Sequence, residues 1–349
     1  MKPRSFLALA ALTLIVVIAA VYAVLDQRSL TTIPSDREHA FDKLANTLNA
    51  AAEIDIVSIE ARFTIVKTAD GWGMKDRASY PVHFDKVKGA LVALSELKLL
   101  EAKTSDPERY ERLQVEEPEK KDSNAVRFAV RDAEGAVLAS GVIGKPNPSL
   151  FGESGGGTYL RRGEEAQSWL AQGEVQLGRT LNDWLVRDIV NLQAEDVRRA
   201  VIRQPGGAEV VVRKDKKDDK TFAVDGVPEG RKLKDKDEGK SLAGGLWRLT
   251  FEDVKPAKDV AFPERFNVAE YETFDGLKVR VEMTMVEDDV WGRFQASAEA
   301  ATGEKAAETK KKADEINARA KGWIYRLSPG EGERLTTKIE DILEKPKES

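Results

Sequence analysis

Few residues in this 349-residue chain have the type and spacing to do chemistry, and each group falls short of a working site. Gly152-Glu153-Ser154-Gly155-Gly156 superficially matches a serine-nucleophile loop. A serine attacks when a base within hydrogen-bond reach takes its proton, and the imidazoles on offer are His39 and His83. His39 falls in a helical stretch near the N-terminus and His83 just before another, and neither has the sequence context of a catalytic base. Gly155–Gly157 fit a flexible hairpin tip ahead of a strand through Tyr159. Glu287-Asp288-Asp289 gathers carboxylates but lacks the alternating oxygen ligands and glycine turn of a calcium loop, so it reads as a strand connection. Gly144-Lys145-Pro146 lacks phosphate-loop spacing, and no helix follows it. Two histidines and no cysteine leave too few ligands for an imidazole–thiolate metal site. The sequence therefore assigns no catalytic, cofactor-binding or metal-ligating residue. A hydrolase using Ser154 or a carboxylate pair stays open as the enzymatic alternative.

The elements that would position any site follow an internal repeat. Ile56–Ile59 and Phe63–Val66, a turn at Asp70-Gly71 and a strand through Trp72 and Met74 open one copy. Val201-Ile202, Pro205-Gly206-Gly207, Val210–Val212 and a strand through Phe222 and Val224 open the other. In the first copy Phe84, Val87, Leu91, Leu94 and Lys98 step at helical spacing, with Leu97, Leu99 and Leu100 widening the apolar face. The helix end LSELKLLEAK (Leu94–Lys103) matches LWRLTFEDVK (Leu246–Lys255) at constant offset, pairing Leu97 with Leu249 and Leu99 with Phe251. Pro107–Tyr110 is echoed by Pro263–Phe266. Each is followed by a hairpin, Val126–Val130 with Val137–Ile143, then Tyr271–Phe274 with Leu277–Val286. GTYLRR (Gly157–Arg162) leads to a short helix at Leu181–Val190, and GWIYRL (Gly322–Leu327) to one at Leu335–Leu343.

The expected fold class is thus α+β: an N-terminal transmembrane helix, then two tandem, duplicated α+β units with mostly antiparallel sheets. The expected organisation is 1–28 tip and anchor, 29–53 linker helix, 54–191 first repeat and 192–349 second repeat, with a helical insertion near 298–321. The linker helix, Ser35–Ile54, places Phe41, Leu44, Leu48 and Ala51 on one face, with Ser35 or Asp36 as cap. The insertion, Ala298–Lys321, reads as a solvated helix, with partner binding as the alternative. Lys214–Lys220 reads as a hairpin tip, and Lys232–Lys240 as a loop entering the second helix. Trp72, Trp184, Trp247, Trp291 and Trp323 fall at element ends, which fits core anchors better than a sugar platform.

The address comes from the first 28 residues. Lys2 and Arg4 precede an uncharged run, Phe6–Leu25, long enough as a helix to span roughly 30 Å, the hydrocarbon thickness of a bilayer. Positive residues on the short side keep it cytoplasmic, so the remainder is expected in the periplasm of a single-pass inner-membrane protein. A cleaved signal peptide with a site at Val21-Tyr22-Ala23 is the rival, but the run exceeds the ~7–15 residues of a signal-peptide core. Charged residues make up 33% with both signs interspersed and a net charge of −5, which argues against nucleic acid as a partner.

The ordered motifs Gly71-Trp72, Tyr80-Pro81, Glu101–Thr104, Pro107–Tyr110, Gly141–Lys145, Tyr159–Arg161, Trp184 and Trp323–Tyr325 give a broader match. Together, over roughly Ile54 to Leu343, they resemble the bacterial family known as domain of unknown function 4340. The resemblance implies a single-span envelope protein that accompanies an ABC-type export system of the gliding-motility kind, beside its permease and large extracytoplasmic subunit. It implies no active site. On this reading the chain is a non-enzymatic accessory or scaffold subunit of an envelope complex containing an ABC-type permease. A periplasmic binding module for peptide or cell-wall polymer, with a concave apolar or aromatic cleft, is the alternative.

Overall fold

Alternating apolar residues build most of this protein into strands, in a computed structural model that describes residues 38–150, 155–299 and 301–345. The apolar run Phe6–Leu25, the Val21-Tyr22-Ala23 site, the caps Ser35 and Asp36, and Gly152–Ser154 lie outside the described residues. Among the described residues no helix is long and apolar enough to cross a membrane. The fold is α+β with two mostly antiparallel sheets. The chain divides into two compact units: one holds 38–62 and Asp85–Arg179, the other Phe63–Phe84 and the chain from Thr180 onward.

Helix α1 (Asp42–Thr47) leads to β1 (Glu53–Val57) and then to β2 (Arg62–Thr68), β3 (Gly71–Met74) and β4 (Tyr80–Pro81). Helix α2 (Phe84–Glu96) and β5 (Lys98–Ala102) follow, then β6 (Val126–Arg131), β7 (Val137–Asn147), β8 (Gly157–Arg162) and β9 (Ser168–Gln172). In the first unit the strands β1-β6-β7-β8-β9-β5 lie side by side in that order. Strand β6 shows the cause: Val126, Phe128 and Val130 are buried while the residues between them are half-exposed, the period-two pattern of a strand with one face on a core. Helix α2 buries Val87, Ala90, Leu91 and Leu94, spaced to form one stripe.

Two helices are shorter than their sequences suggest. The linker helix expected to reach Ile54 is confined to α1 and a 3-10 turn, Leu48–Ala50, because Glu53–Val57 is taken up by pairing with β6. Likewise α2 stops at Glu96, and Leu99 and Leu100 belong to β5, which pairs with β9. A short apolar run satisfies both periodicities, and here the ladder partner decides.

The second unit contains β10 (Val197–Arg203), β11 (Glu209–Arg213), β12 (Ala223–Asp225), α3 (Glu238–Ala243), β13 (Asp253–Pro256) and β14 (Asn267–Thr273). After these come β15 (Lys278–Val286), β16 (Asp289–Ser297), α4 (Ala306–Ala320), β17 (Trp323–Arg326) and α5 (Pro329–Leu335). Its sheet runs β12-β11-β10-β14-β15-β16-β17-β13. The run β10-β14-β15-β16-β17-β13 repeats the chain-order succession of the first unit's six strands. The two Gly-Tyr-Arg segments do not occupy matching places, however. Strand β8 sits between β7 and β9, whereas β17 sits between β16 and β13, where β9 lies in the first unit. The short helix expected at Leu181–Val190 is a 3-10 turn, Leu181–Asp183, followed by irregular chain with isolated bridges at Leu185 and Val190.

Segment Phe63–Phe84 joins the second unit through an aromatic cluster. The Tyr80 ring meets those of Trp323, Phe251 and Tyr325 edge-on at centroid distances of 4.9, 5.5 and 6.1 Å. The Tyr80 hydroxyl donates to the Val186 carbonyl (3.0 Å), and Arg77 pairs with Asp253 at 2.5 Å. Burial pushes the Tyr80 hydroxyl up to about 12.

On the face opposite the main core each sheet carries a small second cluster. Tyr110, Val115, Ala125 and Val142 form it in the first unit, with the Arg161 guanidinium 5.1 Å from the Tyr110 ring centroid. Val260, Trp291 and Ile324 form it in the second, with Arg293 4.2 Å from the Phe262 ring and 5.9 Å from that of Phe266. The insertion is not a solvated helix: α4 buries Thr309, Ala313, Ile316 and Ala320, and Asn317 both donates to the Ala296 carbonyl and accepts from its N–H, each at 2.8 Å.

Candidate functional site

The most distinctive surface of the second unit begins where α3 ends. The helix has only six residues, and Gly244-Gly245 follow it. A Cβ on Gly245 would lie 2.2 Å from the Tyr271 hydroxyl oxygen, so only glycine fits above that buried ring. The Tyr271 hydroxyl donates to the Leu242 carbonyl at 3.2 Å, and burial raises its pKa. The expected helix over Leu246–Lys255 is therefore absent. Two glycines disfavour it by about 1 kcal/mol each, and Tyr271 fixes a turn in its place.

Within that turn Leu246 and Leu249 point into the core, at 0% and 1% exposure, and Trp247 points out, at 55%. Leu249 is further tied by a bridge to Val190, its N–H donating to that carbonyl at 3.0 Å. Arg248 has φ 49°, its N–H donates to Asn191 Oδ1 (3.1 Å), and its guanidinium carbon lies 5.3 Å from the Trp247 ring centroid. A left-handed non-glycine residue costs on the order of 1–3 kcal/mol and persists only where the surroundings fix it. The backbone thus directs the indole outward, between two buried leucines and beside a cation.

Trp247 lines a depression of about 720 Å³ with Glu195, Lys240, Asp237, Lys220 and Arg334. Lys240 pairs with Glu195 at 3.0 Å, and its hydrogen bond holds the Glu195 carboxyl below the usual carboxylate range. The backbone of Glu195 is fixed from behind by Lys214, a buried lysine that donates to the Glu195 and Lys217 carbonyls, both at 2.8 Å. Its ammonium also lies 5.1 Å and 5.6 Å from the Phe222 and Phe274 ring centroids. The Lys214–Lys220 segment is the expected connection, here between β11 and β12, but Lys214 itself points inward. The side chains of Lys220, Asp237 and Arg334 have no hydrogen-bond or ion-pair partner among the described residues.

A second depression of about 540 Å³ is lined by Arg280, Glu282, Arg293, Asn317 and Trp323. Its charges satisfy one another: Arg280 pairs with Glu270 (2.7 Å) and Glu282 (3.0 Å), and Arg293 with Glu282 (2.5 Å). That ladder is a solvated sheet face whose arginines and glutamates neutralise one another, and Lys321 is the further charged residue in the lining.

The residues singled out from sequence take structural places. Gly155 and Gly156, with φ 70° and 83°, belong to the turn before β8, and Ser154 lies outside the described residues. His39 Nδ1 is 2.9 Å from the Ser95 carbonyl in the first unit; the His83 N–H donates to the Trp184 carbonyl (2.8 Å) in the second. Glu287 and Asp288 form the tip between β15 and β16, and Asp289 pairs with Arg326 at 3.2 Å. Among the described residues no group of His, Cys, Asp and Glu could hold a metal ion. Gly144-Lys145-Pro146 is a register shift in β7, where a Gly144 Cβ would meet the Leu113 carbonyl at 2.4 Å. Trp184 and Trp291 are core anchors at 2% and 3% exposure; Trp247 is not. Sequence reasoning missed it by extending the helix through it, although the adjacent Gly-Gly pair was the available signal.

The molecule so described is a two-sheet α+β protein with an aromatic, charge-lined bowl on its second unit and no assembled catalytic group among the described residues. The sequence profile described as "Domain of unknown function (DUF4340)" matches residues 72–269, more than half of the chain, and the chain belongs to that family. No curated protein and no solved structure matches it.

Proposed function

We propose that the chain is a non-catalytic, membrane-anchored accessory subunit of an envelope complex, with its folded units in the periplasm and an ABC-type permease as the integral-membrane partner. The observation that carries a docking role is Trp247. A large aromatic in an exposed position beside an arginine and unpaired charges has the composition of an interface hot spot, where tryptophan and arginine are enriched. The anchor rests on Lys2, Arg4 and the uncharged Phe6–Leu25 run. The permease rests on the family resemblance. We also propose that the two units descend from one duplicated unit, supported by their common strand succession and by an arginine stacked on a covering aromatic in each.

Affinity purification from detergent-solubilised membranes after crosslinking tests the docking role. An integral-membrane partner recovered with the parent chain and reduced with Trp247→Ala is the expected result, and recovery of none refutes it. For the topology, a C-terminal alkaline phosphatase fusion should be active and a C-terminal GFP fusion dark; the reverse pattern refutes the anchor. The concavity beside Trp247 also favours the second reading, a periplasmic binding module for peptide or cell-wall polymer.

A further inference from the structure

We infer that the bowl beside Trp247 is a binding site for an acidic peptide segment that presents a carboxylate next to an apolar side chain. The inference rests on the docking role proposed above and supplies the chemistry of what docks. Two cations that line the bowl, Lys220 and Arg334, lack a partner among the described residues, and a third, Lys240, is shared with Glu195. Of the ionic side chains lining the bowl without a partner among the described residues, two are cations and one, Asp237, is an anion, so the unpaired charge there is net positive. Unspent positive charge around a concave surface raises the local concentration of anions and orients them on approach.

The indole specifies the rest of the ligand. The buried Leu246 and Leu249 and the left-handed Arg248 fix the backbone that carries Trp247. It offers an apolar platform whose desolvation favours a hydrocarbon or aromatic side chain over a hydrated ion alone. The Asp237 carboxylate lines the bowl without a partner among the described residues and supplies an acceptor for an N–H of a bound backbone. At about 720 Å³ the space is in the range of ligand pockets and well beyond one carboxylate or phosphate, which selects a short chain segment over a free anion.

The test uses the full-length chain in detergent and fluorescence anisotropy of a labelled peptide carrying glutamates on both sides of a single phenylalanine. Saturable binding that weakens as salt is raised is expected, since the cations are near the surface. Trp247→Ala should weaken binding about tenfold or more, as loss of an interface anchor does, and Trp247→Phe should restore part of it. The Lys220→Gln/Arg334→Gln pair should weaken binding and flatten its salt dependence. The altered side chains are exposed or half-exposed, and unchanged unfolding midpoints would show that the variants keep their fold. Equal or tighter binding of the lysine-substituted peptide, of a neutral cell-wall sugar oligomer or of anionic lipid nanodiscs would overturn the inference, as would wild-type affinity in Trp247→Ala. The two readings fail separately. A partner captured equally by parent and Trp247→Ala sinks this site alone, and peptide binding without any captured partner sinks the accessory role alone.

Discussion

Replacing Gly245 by alanine is expected to destabilise the second unit through a single collision. The new Cβ would lie 2.2 Å from the Tyr271 hydroxyl oxygen and 3.2 Å from the Leu242 carbonyl, while Tyr271 itself is fully buried. The ring must tilt or the turn must lift. Overpacking of this kind costs about 1–3 kcal/mol. Moving the hydroxyl also breaks its 3.2 Å bond to Leu242, worth about 1 kcal/mol, for a total of about 2–4 kcal/mol. The reasoning has an internal control. In Tyr271→Phe the colliding atom is gone, and the nearest ring contact of a Cβ added at Gly245 becomes the carbon at 3.1 Å. That single change should cost about 0.5–1.5 kcal/mol, because Leu242 keeps its bond from the Gly245 N–H. The double variant should then be more stable than additivity predicts by about 1–2 kcal/mol. Urea unfolding followed by circular dichroism, read for parent, both single variants and the double, completes the cycle. Strict additivity, or a Gly245→Ala cost below about 0.5 kcal/mol, would refute the close-approach account of this turn.

Leu97→Ala and Leu249→Ala should each cost about 2–5 kcal/mol in the same unfolding assay, since both side chains are sealed in cores. Tyr80→Phe should cost about 1 kcal/mol at neutral pH for the lost bond to Val186. Because burial lifts this hydroxyl from its ordinary 10.0 to about 12, the unfolded chain releases its proton first. The stability it contributes is therefore full below pH 10 and is lost as pH rises from 10 to 12, so the parent's stability should fall more steeply than that of Tyr80→Phe over that interval. Asn317→Ala removes two bonds to Ala296 and should speed amide hydrogen exchange along Ala306–Ala320 while leaving α2 protected; unchanged exchange would contradict the clamp.

The sheets were more legible in the sequence than the helices, for a physical reason. Strands such as Val126–Arg131 carry their burial in strict alternation, and the hairpins they form are local. The stretches Leu97–Leu100 and Leu246–Phe251 are apolar at positions that suit either period. What settles them is remote in sequence: β9, which claims β5, and Tyr271, which occupies the space a continued helix would need. Strand β9 itself, Ser168–Gln172, has five residues and no flanking signal strong enough to announce it. The bowl was illegible for a related reason. Its charged residues, Glu195, Lys220, the neighbouring pair Asp237 and Lys240, and Arg334, come from four separate places in the chain without any shared motif, so only the fold assembles them.

The clamp between Asn317 and Ala296 also closes an edge of the second unit's sheet. Strand β16 pairs with β17 only at Trp291 and Gly292, so beyond that point its outer border would offer free N–H and C=O groups to any passing strand. Helix α4 lies against that border, and an amide side chain imitates the neighbour a sheet would otherwise recruit from a second molecule. The insertion thus serves as a guard against runaway self-association. Homologues that dispense with it should be found to close the same border by other means, with a longer final strand, a proline or an inward-facing charge.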